Sequence, residues 1–303
     1  MKESLEYLLF LLLNRIAQLL SFGIAGKIGA FLGNATFLFT GLRRRITKGN
    51  LANAYPDKSG REIQRIAQGA YRNCGIALME MLWAGRQSED SLMKTIKIRN
   101  VDVLHDALAR KIGLILLSAH YGSWELIISA LRLHVGRPFV IVVQHQRNRK
   151  IDKLINSYRC RFDNSTVPLG PSVRELIKAL QEGKVVAMLA DQSGPKESIF
   201  VDFFGRPAAT HRGAAAFSLK TGAPIVMAFL VRQQDGKYET WFEEVGQLGL
   251  DGYNEKNILE LTRRHVEMLE KHIRLHPDHW LWMHKRWKHA EYYQSHKVVE
   301  EAA

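Results

Sequence analysis

Four short apolar runs constrain this chain most: "IGLILLSA" (112–119), "PFVIVV" (138–143), "VVAMLA" (185–190) and "PIVMAFLV" (224–231). A run with no polar alternation suits a strand covered on both faces, as in parallel sheets. Helical patterns lie between the runs, at 124–134, 150–162, 172–182 and 211–221. Two more precede the first run, at 60–86 and 101–111, and a long one follows at 254–275. "YETWFEEV" (238–245) alternates and reads as a more exposed strand. This order predicts an α/β fold with a mostly parallel sheet flanked by helices.

The N-terminal region is different. Residues 5–42 are mostly Leu, Ile, Phe, Ala and Gly, with "YLLFLLL" (7–13) unbroken. Asn14, Arg15, Gln18, Lys27 and Asn34 interrupt the rest, so a clean spanning helix of about 18 residues is not assured. No small-residue cleavage site follows a short apolar core, so a removable signal is not expected. "RRR" (43–45) and Lys48 then supply the basic flank that favours the cytoplasmic side and anionic lipid. Residues 1–45 are therefore expected to be a membrane-anchoring helical segment, spanning or half-embedded, and 46–295 the catalytic domain. A hairpin packed on the domain is the competing reading. "VVEEAA" falls in a tail, 296–303, expected to be frayed.

Forty-three basic against thirty acidic side chains leave a net charge of +13, which points to anionic partners. No nucleic-acid motif accompanies the charge, so nucleic acid is not an expected partner. Cys74 and Cys160 have neither metal-ligand spacing nor a disulfide framework, and a reducing compartment fits them.

In open α/β sheets, ligands gather at the carboxyl ends of strands. His120 ends the first run, in "SAHYGSWE" (118–125), and Asp191 ends another, in "AMLADQSG" (187–194). Either residue also makes an ordinary cap or turn, and position alone leaves both readings open. Glu125 sharpens the first. A helix starting near Gly122 or Ser123 is expected to bring its carboxylate back to His120, fixing one ring nitrogen while the other takes a proton from a hydroxyl. Ser123 is a poor hydrolase nucleophile, because no G-x-S-x-G elbow surrounds it. No H-E-x-x-H occurs either, which disfavours a metalloprotease.

The H-x-x-x-x-E pattern at a strand end resembles that of the glycerolipid-type acyltransferases. More closely, the chain resembles the late (secondary) lauroyl/myristoyl acyltransferase family of lipid A biosynthesis. The likeness continues through "IDKLINSYRCRF" (151–162), "AMLADQSG", "IFVDFFGRPAATHRGAAAFSLKTGAPIV" (199–226) and "PDHWLWMHKRWK" (277–288), and covers roughly residues 100–290. "VVQHQRNRK" (142–150) departs from it, where tyrosine-arginine and then asparagine are expected.

The resemblance implies acyl transfer from an acyl carrier protein thioester to a hydroxyl of a lipid A precursor. The site is then on the cytoplasmic face of the inner membrane, with no metal and no cofactor. His120 and Glu125 become the general-base pair. Arg159 binds a phosphate, Asp191 holds Arg159 or shapes the site, and Arg206 is a second phosphate ligand, with Arg212 a weaker one. Backbone N–H groups near Gly122, or an arginine, are expected to meet the oxyanion. Trp280, Trp282 and Trp287 suit either a membrane boundary or the core. Two alternatives remain: the same chemistry on another membrane glycolipid, such as a mannosylated phosphoinositide, and a non-catalytic basic membrane-bound scaffold. The scaffold reading accounts for the charge but not for the ordered polar motifs.

Overall fold

The apolar runs at 112–119, 138–143, 185–190 and 224–231 each become a strand, and the sheet they build puts polar residues that follow them side by side. A computed structural model describes residues 2–170 and 172–293. Four helices come first: α1 (Lys2–Leu19), α2 (Phe22–Phe39), α3 (Gly41–Ala54) and α4 (Gly60–Ala84). A capping box opens α4, with the Ser59 hydroxyl on the Glu62 N–H and the Glu62 carboxylate on the Ser59 N–H. Next come α5 (Glu89–Met93), β1 (Ile96–Ile98), α6 (Val101–Ala109), β2 (Leu114–Ser118), α7 (Trp124–Val135) and β3 (Phe139–Val143). The chain continues through α8 (Arg149–Arg159), β4 (Ser165–Pro168), α9 (Val173–Gln181), β5 (Val185–Leu189), β6 (Ile199–Phe203) and β7 (Arg206–Thr210). It closes with α10 (Gly213–Thr221), β8 (Ile225–Arg232), β9 (Tyr238–Glu244) and α11 (Glu255–Leu275).

Seven strands form one sheet in the order β1-β9-β8-β2-β5-β3-β4. Every pairing in it is parallel except β8 with β9. β2 lies at the centre, and its alternate residues feed two cores. Ile115 and Leu117 pack in one core with Leu176, Ala214 and Leu261 from α9, α10 and α11. Leu114 and Leu116 pack in the other with Leu104, Leu126 and Leu131 from α6 and α7. Burial of both faces is the reason the run has no polar alternation. β6 and β7 stand apart as an antiparallel hairpin.

The N-terminal helices dock on the domain at close range. A Cβ on Gly29 of α2 would stand 2.5 Å from the Gly75 carbonyl of α4, and one on Gly33 would stand 2.3 Å from the Tyr71 carbonyl. Only glycine permits such backbone approach between helices. The outer surface stays apolar: Leu5, Leu8, Leu9, Leu12, Ile16 and Leu19 of α1 are exposed, as are Ile24, Phe31, Leu38 and Phe39 of α2. Among the described residues, α2 is the one helix long and apolar enough to cross a membrane. The expected boundary at residue 45 falls inside α3. The tail at 296–303 lies outside the described residues.

Replacing Gly33 with alanine should therefore destabilise the protein by about 1–3 kcal/mol through overpacking. Thermal melting in detergent reads this. Gly23→Ala, where nothing lies within 4 Å of the new Cβ, is the control and should not lower the midpoint. Equal melting of the two variants would contradict the close approach.

Candidate active site

Parallel pairing of β2 with β5 sets Ser118 opposite Leu189. Two residues further along each strand, His120 and Asp191 come together. His120 Nδ1 lies 2.9 Å from Asp191 Oδ1, and the His120 backbone N–H donates to Asp191 Oδ2 at 3.0 Å. The indole N–H of Trp280 donates to that same Oδ2 at 2.8 Å. An ionised carboxylate only accepts, so the proton sits on Nδ1 and Nε2 presents a lone pair. The amide nitrogen of Gln192 stands 3.5 Å from Nε2.

Burial pushes the His120 imidazole toward its neutral form, but the Asp191 carboxylate and its hydrogen bond, helped by Glu125, raise the net pKa. Burial likewise opposes ionisation of Asp191. His120 and the three hydrogen bonds outweigh it, and its pKa is lowered.

The turn between His120 and α7 needs Gly122, whose φ is +58° and whose Cβ would stand 2.4 Å from the Leu230 carbonyl. A C-terminal segment straps this turn. Gly122 N–H donates to the His279 carbonyl at 2.9 Å, and Leu281 N–H donates to the His120 carbonyl at 3.0 Å. The Gly122 N–H is thus engaged within the protein and is not aimed at an oxyanion, contrary to the expectation from sequence. Further along, His284 Nε2 accepts the Ser193 N–H at 2.8 Å, and burial pushes its pKa down to about 4.

The expected pairings are exchanged. Glu125 is the second residue of α7, and its carboxylate reaches the far end of α8 rather than the His120 ring. Arg159 forks onto it: Nε donates to Oε2 at 2.9 Å, and Nη2 donates to Oε1. The remaining Arg159 nitrogen, Nη1, donates to Asn156 at 3.0 Å. Asp191 therefore holds His120, not Arg159, and the guanidinium fork expected to meet phosphate is filled by Glu125. Helix direction accounts for both corrections, since α7 leaves the strand end toward α8 while β5 lies directly beside β2.

Arg206 stands apart from these residues. It follows the tip of the β6–β7 hairpin, where Phe204 and Gly205 take φ values of +54° and +69°. It is exposed there and does not line the cavity described below. Arg212 pairs with Glu255 at 2.6 Å. Trp280 and Trp282 are core residues, 1% and 0% exposed, and Trp287 is partly buried with its N–H on the Phe203 carbonyl. Trp280 is the site residue that sequence reasoning did not place. Its one cue was a tryptophan in the closing aromatic and basic block.

An open cavity of about 590 Å³ lies over the carboxyl ends of β2, β5, β3 and β4. His120, Glu125, His145, Arg159, Gln192 and His211 supply its polar wall. Behind it, among α7 and strands β2, β3 and β5, is a narrow apolar recess of about 50 Å³ lined by Leu116, Ile127, Ile141 and Met188. Glu125 and Arg159 line both spaces. Among the described residues, no His, Cys, Asp and Glu cluster is arranged to hold a metal ion.

The comparisons with known proteins give the class: the protein is an acyltransferase. Its sequence matches the family described as bacterial lipid A biosynthesis acyltransferase over residues 2–289, and the chain belongs to that family. It is 26% identical over 272 residues to the lipid A biosynthesis lauroyltransferase of Escherichia coli, covering 89% of this chain and 87% of the relative. The E. coli lipid A biosynthesis palmitoleoyltransferase is 24% identical over 265 residues, covering 86% and 84%. A phosphatidylinositol mannoside acyltransferase of Mycobacterium tuberculosis is 24% identical over 199 residues, covering 63% and 59%.

Glu125 and Arg159 are 12% and 14% exposed, so each is costly to leave unpaired. Glu125→Gln with Arg159→Met should therefore lose less stability than the two single variants added together. A double-mutant cycle on melting should give a coupling of roughly 1–3 kcal/mol. Additive losses would mean that the pair has no role in holding α7 to α8.

Proposed function

We propose that the chain moves a fatty acyl group from an acyl carrier protein thioester to a hydroxyl of a lipid A precursor. The observation that carries this reading is His120 on the cavity wall, its Nδ1 backed by Asp191 and its Nε2 met only by the Gln192 amide at 3.5 Å among the described residues. Nε2 takes the proton of the acceptor hydroxyl as its oxygen attacks the thioester carbonyl. The tetrahedral intermediate then collapses, the C–S bond breaks, and the imidazolium returns the proton to the thiolate. Asp191 holds the tautomer and supports the imidazolium, a role the sequence reading had given to Glu125. Glu125 adds charge nearby and is fixed by Arg159. Gln192 is the side-chain donor nearest the reacting nitrogen and is suited to the oxyanion.

The apolar recess takes hydrocarbon, each buried CH2 contributing about 0.8 kcal/mol. The exposed leucines of α1, the apolar surface of α2 and the basic run at 43–45 support attachment to a membrane, with the cavity on the cytoplasmic side of the inner membrane. The net charge of +13 suits an acidic carrier protein. A lipid A acceptor is preferred to a mannosylated phosphoinositide because the E. coli lipid A lauroyltransferase matches 89% of the chain, against 63% for the phosphatidylinositol mannoside acyltransferase. Purified protein given labelled acyl carrier thioester should add mass to the lipid A precursor. Mass gained only by the phosphoinositide would move the reading to the other acceptor.

His120→Ala should lower turnover roughly 10²- to 10⁴-fold in a protein that still folds and still binds membranes. Near-normal turnover would falsify the base assignment.

The pH profile tests Asp191. The base must be neutral to act, so activity falls as pH drops through the His120 pKa. Asp191 raises that pKa, which places the acid limb above the usual histidine value of about 6.5. Asp191→Asn removes the charge, so the remaining activity should be lower and its acid limb should move to lower pH. A limb that stays put would show that the titrating group is not His120.

A further inference from the structure

A second histidine on the cavity wall is built like the first. His145 follows β3, and its Nδ1 lies 2.8 Å from Asp152 Oδ2, while the Gln146 N–H donates to Asp152 Oδ1 at 2.8 Å. As at His120, one carboxylate is gripped by a ring nitrogen and a backbone N–H of the same strand end. Asp152 is buried in the first turn of α8, and the carboxylate is kept ionised by these donors despite its burial. His145 is half-exposed, at 50%, and lines the cavity with the edge that Asp152 leaves free. It stands two strands from His120, about 10 Å away by strand spacing, because β5 intervenes. Proton transfer at the acceptor hydroxyl thus belongs to His120 and leaves His145 unused.

The charged and titratable groups facing this cavity can be assigned one by one. Asp152 and Arg149 lie on α8 beside His145, and Arg149 acts on Asp152. Glu125 of α7 and Arg159 of α8 neutralise each other. His120 is matched by Asp191. His211, just before α10, is pushed toward its neutral form by burial and by the positive field of Arg286 and Lys288. His145 is left as the imidazole with a carboxylate behind it and open cavity before it.

We propose that His145, held by Asp152, is the anion-binding group of the cavity and takes a substrate phosphate. The inference rests on the acyl-transfer reading of the cavity. Protonated, its ring donates from both nitrogens, one to Asp152 and the other to a phosphate oxygen, a charge-assisted bond to a fixed acceptor. Both substrates of that reading carry this chemistry: the phosphate of the donor's pantetheine arm and the phosphate of the acceptor headgroup.

Calorimetric binding to the full chain in detergent tests this, with 4′-phosphopantetheine for the donor arm and glucosamine 4-phosphate for the acceptor headgroup. At pH 6, His145→Gln should bind one of the two probes about tenfold more weakly than the unaltered protein. His145→Arg keeps a cation at this position, so it should bind that probe at least as tightly as the unaltered protein, and it carries the test alone if His145→Gln does not fold. The probe that responds identifies the phosphate. Loss of binding by a folded His145→Arg would overturn the proposal, as would equal binding of both probes by a folded His145→Gln. Phosphate binding without any acyl transfer would sink the transferase reading alone, and transfer without any His145 response would sink this one alone.

Discussion

The buried carboxylate of Asp191 organises the molecule around the cavity. A charge with 1% of its side chain exposed must be fully matched, or it costs several kcal/mol. Its three donors come from two places in the chain: the ring and backbone N–H of His120, and the Trp280 indole far toward the C-terminus. Each donor implies a structure behind it. The ring requires β2 and β5 to be neighbours in parallel register. The indole requires the segment after α11 to return across the carboxyl edge of the sheet, where it bridges Tyr121 with Trp280. One carboxylate thus ties the centre of the sheet to a strap that closes the fold.

Buried charge elsewhere follows the same rule. Glu80 of α4 is fully buried and is met by the Arg232 guanidinium and by the Tyr238 hydroxyl at 2.7 Å. These groups join α4 to β8 and β9, on the side of the sheet where α2 packs its glycines. Glu125 and Arg159 do the same for α7 and α8. Removing either member of such a pair leaves the other as an uncompensated charge, so these contacts hold the helices in fixed positions more than they add net stability.

Sequence periodicity was enough for the fold class and for the strands that line the site, because burial on both faces leaves unbroken apolar runs. The short elements escaped it. β1 has three residues and β4 has four, too few to show a period. β6 and β7 were read only as part of a family-like block. The positions of His120, Glu125, Arg159 and Asp191 were also legible, but not which carboxylate meets which cation. That depends on strand order: β5 follows β2 in space but is separated from it in sequence by β3 and β4, and no local pattern records this. The five-residue step from His120 to Glu125 made a plausible pair. Nothing in those residues says that the helix aims the carboxylate at α8. Asp152 was hidden in the same way, as one acidic residue in a basic helix.

α8 is where the outer apolar surface and the cavity meet. It carries Asp152 at its start, behind His145, and Arg159 at its end, on the cavity wall. It is also bonded to α1: Tyr158 donates to Asn14 at 2.9 Å and accepts from Gln18 at 3.0 Å, while Asn148, its cap, donates to the Glu3 carbonyl at 2.8 Å. Asn14 is one of the few buried polar groups of α1, so these bonds replace water that it has lost. The leucines on the outer side of α1 have no such partners within the protein. α1 is bonded to both ends of α8, and so to the helix whose Arg159 meets Glu125 at the boundary between the polar cavity and the apolar recess.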